Sequence, residues 1–392
     1  MFQRSIQTEF ERLMSQYPIV TIMGPRQAGK TTLARSAYPN RPYYNLENPD
    51  TRALIEADPR AFFDSLDLQK GVILDEIQRS PELLSYIQTA VDENRVPGSF
   101  ILTGSHQLQL TEAISQSLAG RTAILELLPV SMAELNNNDV ELSIDEYLFN
   151  GFYPAIYQHH LDPKTHARNY LKTYVERDVR QLVNIKDLDR FRGFIRLCAG
   201  RISSVINRES LSNDVGVSQG TIRNWMSILS ASYLTFQLPP YFENFGKRII
   251  KTPKLYFTDV GIASSLCAFE SWQQIQSDRS RGALFENFVI LELLKYRFNQ
   301  GKEANLYFYR DSNQNEVDVI FKTHDKLIPI EIKSASTFTP ALLKGIKHFQ
   351  KLVGERALIA FLVYNGEEQQ VNGVNLINAK NLHKMLLKIE TL

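Results

Sequence analysis

A glycine-bracketed loop between an apolar strand and a helix is the strongest chemical feature of this 392-residue sequence. The loop runs from Gly24 to Lys30-Thr31-Thr32 with the spacing G-x-x-x-x-G-K-T that is typical of a phosphate-binding loop. Glycines let backbone N–H groups surround a phosphate, a lysine supplies charge to the β- and γ-phosphates, and a threonine supplies a hydroxyl to Mg²⁺. We therefore predict that a nucleotide binds here, on Gly24, Pro25, Arg26, Gln27, Ala28, Gly29, Lys30, Thr31 and Thr32.

Two later apolar strands end in polar residues that suit the same chemistry. The strand over 71–74 ends in Asp75-Glu76, and we predict that Asp75 holds the Thr31-bound Mg²⁺ through water while Glu76 orients or deprotonates the attacking water. The strand over 99–102 ends near Ser105, our candidate for contacting the γ-phosphate or the water, with Thr103 second. The alternative for Asp75 and Glu76 is a buried strand with an exposed acidic end. The alternative for Ser105 and Thr103 is that they are plain turn residues after a strand.

Composition narrows the function classes. The chain has 44 Lys and Arg against 43 Asp and Glu, so any nucleic-acid contact must come from local patches. Its two cysteines lack a CxxC or Cys/His cluster, which argues against a zinc site and fits a reducing compartment. The N-terminus does not resemble a signal peptide, and no apolar stretch is long enough to span a membrane. We expect a cytoplasmic protein without membrane contact.

The order of these elements resembles an AAA+ ATPase. In that family an arginine finger commonly ends the helix after the strand that carries the polar sensor, and Arg121 matches this position. The resemblance implies that Arg121 acts in trans on a neighbour's γ-phosphate, and hence a homo-oligomer; the alternative is an arginine that interacts with the helix dipole. The runs GPRQAGKTTL, LDEIQ, LTGS, SLAGR and LLPVS are similar to bacterial and archaeal AAA ATPases with an uncharacterised C-terminal domain. ATP as the nucleotide is implied by this resemblance.

The middle of the chain has the pattern of a winged helix. Residues 208–226 predict a helix, a glycine turn and a second helix with Ser218 as N-cap, followed by strands over 234–238 and 249–257. A helical lid is expected before it, where Arg177 is a candidate for the γ-phosphate or a salt-bridged surface residue. If this unit binds DNA, the second helix would contact the major groove and the wing the phosphates; otherwise it is an interaction or lid element. The predicted DNA contacts are Gln219, Thr221, Arg223, Asn224, Lys247 and Arg248, with Lys251.

Near the C-terminus, a helix, a hairpin and a strand deliver Glu286, Asp318, Glu331 and Lys333. Period-two alternation places Glu331 and Lys333 on one strand face. Metal-assisted phosphodiester cleavage requires carboxylates and a lysine, so Glu286, Asp318 and Glu331 are candidate ligands for Mg²⁺ or Mn²⁺, and Lys333 would act on the attacking water. The arrangement resembles the PD-(D/E)xK nuclease fold, although Val317 stands where the name pattern has proline.

We thus expect an α/β protein of four parts. These are a P-loop AAA+ parallel-sheet core (1–130), a helical lid (131–190), a winged helix (191–270) and a PD-(D/E)xK nuclease-like domain (271–392). The expected function is ATP hydrolysis coupled to DNA binding and, through the last domain, possible metal-dependent cleavage. Two alternatives stay open: a nucleotide-dependent binding switch with an inert nuclease-like domain, and an ATPase chaperone that binds no nucleic acid.

Overall fold

The computed structural model describes residues 2–105, 116–175, 187–242, 251–357 and 359–391. Three of the predicted site residues, Arg177, Lys247 and Arg248, lie outside these ranges. In the part of the chain that is described, no helix is long and apolar enough to cross a membrane.

The N-terminal unit is built on the predicted parallel sheet. Its central strands are almost wholly apolar because helices cover both faces of the sheet. The strand that precedes Ser105 lies between the strand that enters the phosphate-binding loop and the strand that ends in Asp75, so all three polar ends meet at one edge. The five strands are β1 (Ile19–Met23), β2 (Tyr43–Asn45), β3 (Val72–Asp75), β4 (Phe100–Gly104) and β5 (Thr122–Glu126), in the order β2-β3-β4-β1-β5.

Helices of this unit begin where the sequence supplies caps. Asn48 accepts a hydrogen bond from the Asp50 N–H (2.9 Å) and Asp58 one from the Ala61 N–H (3.0 Å), each ahead of a proline in the first turn. The helices are α1 (Gln7–Met14), α2 (Lys30–Ala37), α3 (Pro49–Ala57), α4 (Pro59–Asp64) and α5 (Leu83–Glu93).

In the described part of the middle of the chain, helices precede a two-stranded antiparallel sheet. Four short helices come first: α6 (Met132–Asn136), α7 (Ile144–Asn150), α8 (Pro154–Gln158) and α9 (Pro163–Tyr170), the last continued by a π-helical turn over Leu171–Val175. Three further helices, α10 (Leu188–Ala199), α11 (Arg208–Val215) and α12 (Gln219–Ala231), precede β6 (Thr235–Leu238) and β7 (Lys254–Phe257). Ser218 accepts a hydrogen bond from the Thr221 N–H (3.1 Å), which confirms the predicted N-cap of α12.

The C-terminal unit is a mixed six-stranded sheet with helices packed on it. It begins with α13 (Val260–Leu266), α14 (Trp272–Ser277) and the long α15 (Arg281–Asn299). The antiparallel strands β8 (Leu306–Arg310), β9 (Glu316–Thr323) and β10 (Lys326–Ile332) follow. The chain continues through α16 (Lys344–Val353), β11 (Ala360–Tyr364), β12 (Gln369–Val371), β13 (Val374–Asn378) and α17 (Leu382–Glu390), and the sheet order is β12-β13-β11-β10-β9-β8.

Helix α15 joins the units. The Met132 N–H donates to Glu292 Oε2 (2.9 Å), and Lys295 Nζ donates to the Val130 carbonyl (2.9 Å) and to Glu292 Oε1 (2.8 Å). Glu292 and Lys295 are both buried, so these hydrogen bonds form away from water. They fix the end of the N-terminal unit against α15. The same helix carries Glu286, about 9 Å further toward its N-terminus at 1.5 Å per residue.

Candidate functional site

The phosphate-binding loop has the backbone that its glycines require. Gly24 has φ 151°, and a Cβ there would lie 2.1 Å from the Leu127 carbonyl oxygen, so no other residue fits without moving β5. Gly29, with φ 98°, is the N-cap of α2, whose first helical residue is Lys30. The loop therefore presents backbone N–H groups and a helix N-terminus at one place, which is the geometry that binds phosphate.

Lys30 is held inside the loop. Its ammonium donates to the carbonyls of Gly24 (3.0 Å) and Pro25 (2.8 Å), and the residue is buried. Burial lowers the pKa of Lys30, although the carboxylates of Glu76 and Asp75 oppose the shift. These two carbonyls satisfy a buried ammonium at the point where we predict phosphate oxygens.

Asp75 is the centre of a hydrogen-bond network. Its Oδ1 accepts from the Thr31 hydroxyl (2.8 Å) and from the Thr103 hydroxyl, and its Oδ2 accepts from the Tyr43 hydroxyl (2.8 Å). A hydroxyl and a carboxylate that already contact each other are a suitable oxygen donor set for Mg²⁺. The residues Thr31 and Asp75 thus fit the predicted ion.

Glu76 is fixed in an unusual backbone conformation. Its φ is 60°, and its N–H donates to the Thr103 hydroxyl (3.1 Å). Glu76 Oε2 accepts from Ser105 Oγ (2.9 Å) and Gln78 Nε2 (2.5 Å). Burial opposes ionisation of Glu76, but the charges of Lys30 and Arg26 outweigh it and hold the pKa below its usual value. The structure thus brings Glu76 and Ser105 together, with the carboxylate ionised.

Two residues at the loop were not predicted from the sequence. Arg4 is buried and donates to the carbonyls of Ala28 (2.7 Å) and Leu128 (2.7 Å), which ties the loop to the segment after β5. His166 Nε2, on α9, lies 3.0 Å from Gln27 Oε1. No motif marks either residue, because each meets the loop only through the tertiary fold.

Arg121 lies away from its own phosphate-binding loop. It precedes β5, whose opposite end is in register with Met23 beside the loop. Its guanidinium makes a bidentate pair with Asp92 (2.6 and 2.7 Å), and its side chain is 25% exposed. This position excludes a contact with the nucleotide of the same chain, and the predicted action in trans stays a prediction.

Four of the predicted DNA-contacting residues that are described lie at the start of α12, and a fifth, Lys251, is exposed just before β7. Gln219, Arg223 and Asn224 are exposed, whereas Thr221 is partly buried and its hydroxyl lies 2.9 Å from Ser218 Oγ. The opposite face of α12 packs in the core through Ile222 and Trp225. The exposed face is therefore available for a partner.

The four predicted nuclease-like residues do converge. Lys333 Nζ lies 2.9 Å from Asp318 Oδ2 and 2.7 Å from Glu331 Oε1. Glu286, on α15, enters from the helix side and accepts from the Tyr256 hydroxyl (2.5 Å). We refer to Glu286, Glu316, Asp318 and Glu331 as the acidic cluster.

A lysine that the sequence analysis did not select lies among these carboxylates. Lys254 Nζ, from β7, is 2.5 Å from Glu316 Oε1, 3.1 Å from Glu286 Oε1 and 4.0 Å from Asp318 Oδ1. Burial would lower the pKa of Lys254, but the three carboxylates outweigh it and raise the pKa above its usual value. In the sequence, the signal that could have indicated Lys254 is its place at the start of an otherwise apolar strand.

Burial perturbs the carboxylates as well. It raises the pKa of Glu286 to about 7 and that of Glu331 to about 8, in both cases with a further contribution from the charge of Asp318. Within the described ranges, no group of three or more His, Cys, Asp or Glu is arranged to hold a metal ion. The predicted ligand set Glu286, Asp318 and Glu331 therefore does not fit a metal ion as it stands, because Lys254 and Lys333 lie among its oxygens.

Three family models match successive parts of the chain. Residues 16–136 match the family described as "AAA domain". Residues 141–273 and 281–382 match two families described as "Domain of unknown function", DUF8612 and DUF4143. The first match covers the strands and loop that hold Lys30, Asp75 and Glu76.

Relatives and solved structures extend the comparison. The chain is 28% identical to the uncharacterized protein Rv2008c of Mycobacterium tuberculosis over 94% of this chain and 81% of that protein. It is 24% identical to the uncharacterized protein MJ1637 of Methanocaldococcus jannaschii, over 91% and 82% of the two chains. Among solved structures it is similar to the Walker-type ATPase PABY2304 of Pyrococcus abyssi (TM-score 0.43, 16% identity, 68% and 96% covered) and to the Thermotoga maritima RuvB branch migration motor (TM-score 0.30, 17% identity, 60% and 89% covered).

The loop geometry, the parallel five-stranded sheet and the family match agree. Residues 16–136 are therefore similar to an AAA domain in sequence and carry the phosphate-binding loop on a parallel five-stranded sheet.

Proposed function

We propose that this chain binds and hydrolyses ATP at residues 24–32 and that its nucleotide state controls DNA binding by the C-terminal units. The observation that carries the proposal is the array at the sheet edge. Thr31 contacts Asp75, and Ser105 contacts the ionised Glu76, all beside the buried Lys30. These are the groups that phosphoryl transfer to water needs, in positions where they can act together.

Each side chain has a defined task in this proposal. Lys30 exchanges the carbonyls of Gly24 and Pro25 for phosphate oxygens, so its buried charge stays satisfied. Mg²⁺ on Thr31 and Asp75 would neutralise charge on the phosphates. Glu76 accepts a proton from, or orients, the attacking water, and Ser105 fixes the carboxylate that does so.

We place the nucleobase at a small cleft beside the loop, which would have to widen to admit a planar base. Phe2, Thr32, Val130, Pro154 and Gln158 line it, next to Gly29. Apolar and polar groups contribute to its walls in similar proportion. The cleft includes residues of the N-terminal unit and of α8, so a bound base would contact both.

Helix α15 offers a route by which nucleotide state can reach the C-terminal units. Leu127 contacts Gly24, Leu128 contacts Arg4, and Val130 contacts Lys295 on α15. The first link is a close backbone approach, and the other two are buried hydrogen bonds. The exposed start of α12, with Arg223 and Asn224, is the surface that we propose for DNA.

Metal-dependent DNA cleavage is a second candidate function. It is supported by the convergence of Asp318, Glu331 and Lys333 at the end of adjacent strands. The assay is cleavage of supercoiled, linear and single-stranded DNA with Mg²⁺ or Mn²⁺, with and without ATP, in wild type and Lys333→Ala. Cleavage that Lys333→Ala abolishes supports a nuclease, and no cleavage under any condition leaves the nucleotide-dependent binding switch.

ATP turnover and DNA binding test the main proposal directly. We expect ATP hydrolysis by the wild type and loss of nucleotide binding in Lys30→Ala. We also expect that Arg223→Ala weakens binding of labelled duplex DNA by the ATP-loaded protein and lowers its salt dependence. Arg12→Ala, which removes an exposed arginine on α1, is the matched control and should bind DNA as the wild type does. Equal DNA binding at low salt by wild type and Arg223→Ala would contradict the proposed surface.

A further inference from the structure

Lys254 is placed as a metal ion would be. Its side chain is only 3% exposed, and three carboxylates, from Glu286, Glu316 and Asp318, surround the ammonium at 2.5–4.0 Å. The ring of Phe308 closes another side, with Nζ 5.5 Å from the ring centroid. A buried cation with this number of acidic neighbours neutralises charge that could not otherwise be buried.

The remaining carboxylate has an oxygen that the lysines do not use. Glu331 is 8% exposed, and its Oε1 pairs with Lys333. Its Oε2 is buried and has no hydrogen-bond partner among the described residues. The cluster thus has a spare oxygen ligand next to a position that a lysine fills.

The strand that carries Lys254 is firmly attached to α15. The Phe257 N–H donates to Asn287 Oδ1 (2.8 Å), and Asn287 Nδ2 donates to the Phe257 carbonyl (2.9 Å). The Tyr256 hydroxyl donates to Glu286 on the same helix. Because the backbone of β7 is fixed in this way, only rotation of the Lys254 side chain itself can remove the ammonium from the cluster.

We propose that the Lys254 ammonium is the resident cation of the acidic cluster and keeps a divalent metal ion out of it. This inference rests on the proposed nuclease-like function, since it gives the regulation of that site: cleavage chemistry becomes available only when the lysine is withdrawn. With Lys254 in place, Glu286, Glu316 and Asp318 are saturated by an internal charge, and a second cation would meet repulsion from Lys254 and Lys333.

Binding of Mn²⁺ to the nucleotide-free protein, followed by electron paramagnetic resonance, tests the inference. Wild type should bind Mn²⁺ at least about 10-fold more weakly than Lys254→Met, which keeps the apolar stem and removes the charge. Lys254→Arg keeps a cation and should behave as wild type. Lys254→Met combined with Asp318→Asn should lose the new site, which locates the ion in the cluster.

A matched control shows whether the effect on Mn²⁺ binding is specific to Lys254 or follows from removing any buried lysine. Lys295 is equally buried on α15 but pairs with a single carboxylate, that of Glu292. Lys295→Met should be less stable than wild type and gain no Mn²⁺ site. Added Mn²⁺ should raise the melting temperature of Lys254→Met and leave that of Lys295→Met unchanged.

Several results would overturn the inference. One is that the wild-type protein binds one Mn²⁺ per chain and that Asp318→Asn loses this binding. This result would overturn the inference even if Lys254→Met fails to fold. Another is a folded Lys254→Met that binds Mn²⁺ no more tightly than wild type. The proposed cleavage is judged separately: a Lys254→Met that binds metal yet does not cut DNA removes the nuclease and leaves the lysine in its role.

Discussion

Glu76 is held by more contacts than a surface carboxylate needs. Its positive φ, the bond from its N–H to Thr103, and the bonds from Ser105 and Gln78 to one carboxylate oxygen together fix where the other oxygen can point. Such fixation costs stability and is typical of a residue that acts on a substrate. In the proposed mechanism that substrate is the attacking water.

Replacing Glu76 with glutamine therefore separates binding from turnover. The amide keeps the size of the side chain but can no longer accept a proton, so we expect ATP hydrolysis to fall at least about 100-fold. Binding of a fluorescent ATP analogue should stay within about threefold of wild type. Glu82→Gln, an exposed glutamate at the start of α5, serves as the control and should leave both quantities unchanged. Normal turnover in Glu76→Gln would contradict its assigned role.

Glu126 makes folding stability depend on pH. Burial at the end of β5 raises its pKa to about 7. Between its unfolded pKa, about 4.3, and that value, the folded chain keeps a proton that the unfolded chain has released. Stability from this residue is therefore fully present below about pH 4 and is lost as the pH rises through 7.

The corresponding variant is Glu126→Gln, which cannot ionise. As the pH rises from 5 to 8, we expect the unfolding free energy of Glu126→Gln to increase relative to that of the wild type by about 1–3 kcal/mol. The energy range allows for the partial exposure of Glu126. Urea unfolding of both proteins at four pH values in this range measures the difference. A difference that does not change with pH would show that Glu126 ionises normally in the folded protein.

At the scale of single elements, the loop after β1 depends on close contact with the end of β5. A Cβ at Gly24 would meet the Leu127 carbonyl at 2.1 Å, and the backbone there has φ 151°. We expect Gly24→Ala to lower unfolding free energy by about 1–3 kcal/mol and to abolish nucleotide binding, because the loop or β5 must shift. Thermal unfolding with and without nucleotide measures both effects.

Gly193 is the matched control for that substitution. It lies inside α10, and apart from its chain neighbours and the nearby backbone of its own helix, no atom of the described residues comes within 4 Å of a Cβ placed there. Gly193→Ala should raise stability by about 0.5–1 kcal/mol, since alanine loses less backbone entropy in a helix. A destabilisation of equal size in both variants would show that the Gly24 effect is not specific to the loop.

The elements that the sequence predicted are those with strong local signals. β1, β3 and β4 are continuous apolar runs that end in polar residues, and the N-cap of α12 is a serine followed by a helical pattern. The strands β12 and β13 and the helix α16 were not predicted. β12 is three residues of Gln-Gln-Val with little apolar pattern, and it forms only because it pairs with β13.

The same distinction holds for the sites. Lys30, Thr31 and Asp75 follow from motifs in which local spacing determines the chemistry. Lys254 and His166 do not, because their partners come from distant parts of the chain: Glu286 is 32 residues from Lys254, and Gln27 is 139 residues from His166. Sequence analysis could name three of the four acidic residues, but neither Glu316 nor the lysine that lies among them.

At the scale of the whole molecule, the predicted action of Arg121 requires a second copy of the chain, because Arg121 cannot reach its own nucleotide. Its guanidinium is paired with Asp92 at the surface and would have to leave that carboxylate to contact a neighbour's phosphate. If it acts in trans, Arg121→Ala and Lys30→Ala should each be inactive alone, with a loss of about 10³-fold for the arginine.

Mixing Arg121→Ala with Lys30→Ala tests whether Arg121 acts on the nucleotide of a neighbouring chain. In randomly mixed dimers, one site in each mixed pair combines an intact Lys30 with an intact Arg121, so about a quarter of wild-type turnover should return. Arg95→Ala, an exposed arginine whose guanidinium contacts the Gly120 carbonyl (3.3 Å), should keep full turnover alone. No recovery in the mixture, with both variants shown to assemble, would exclude a finger in trans.

The reciprocal hydrogen bonds between Phe257 and Asn287 bear on how this chain can be divided. They cross residue 270, where we placed a domain boundary, and so does the contact of Lys254 with Glu286. A fragment beginning at residue 271 would leave Asn287 and the acidic cluster without the atoms that satisfy them. The segment 191–270, which carries β7, and the last domain would therefore be inherited, exchanged and lost together. A gene fusion that separated them would have to supply a substitute for β7.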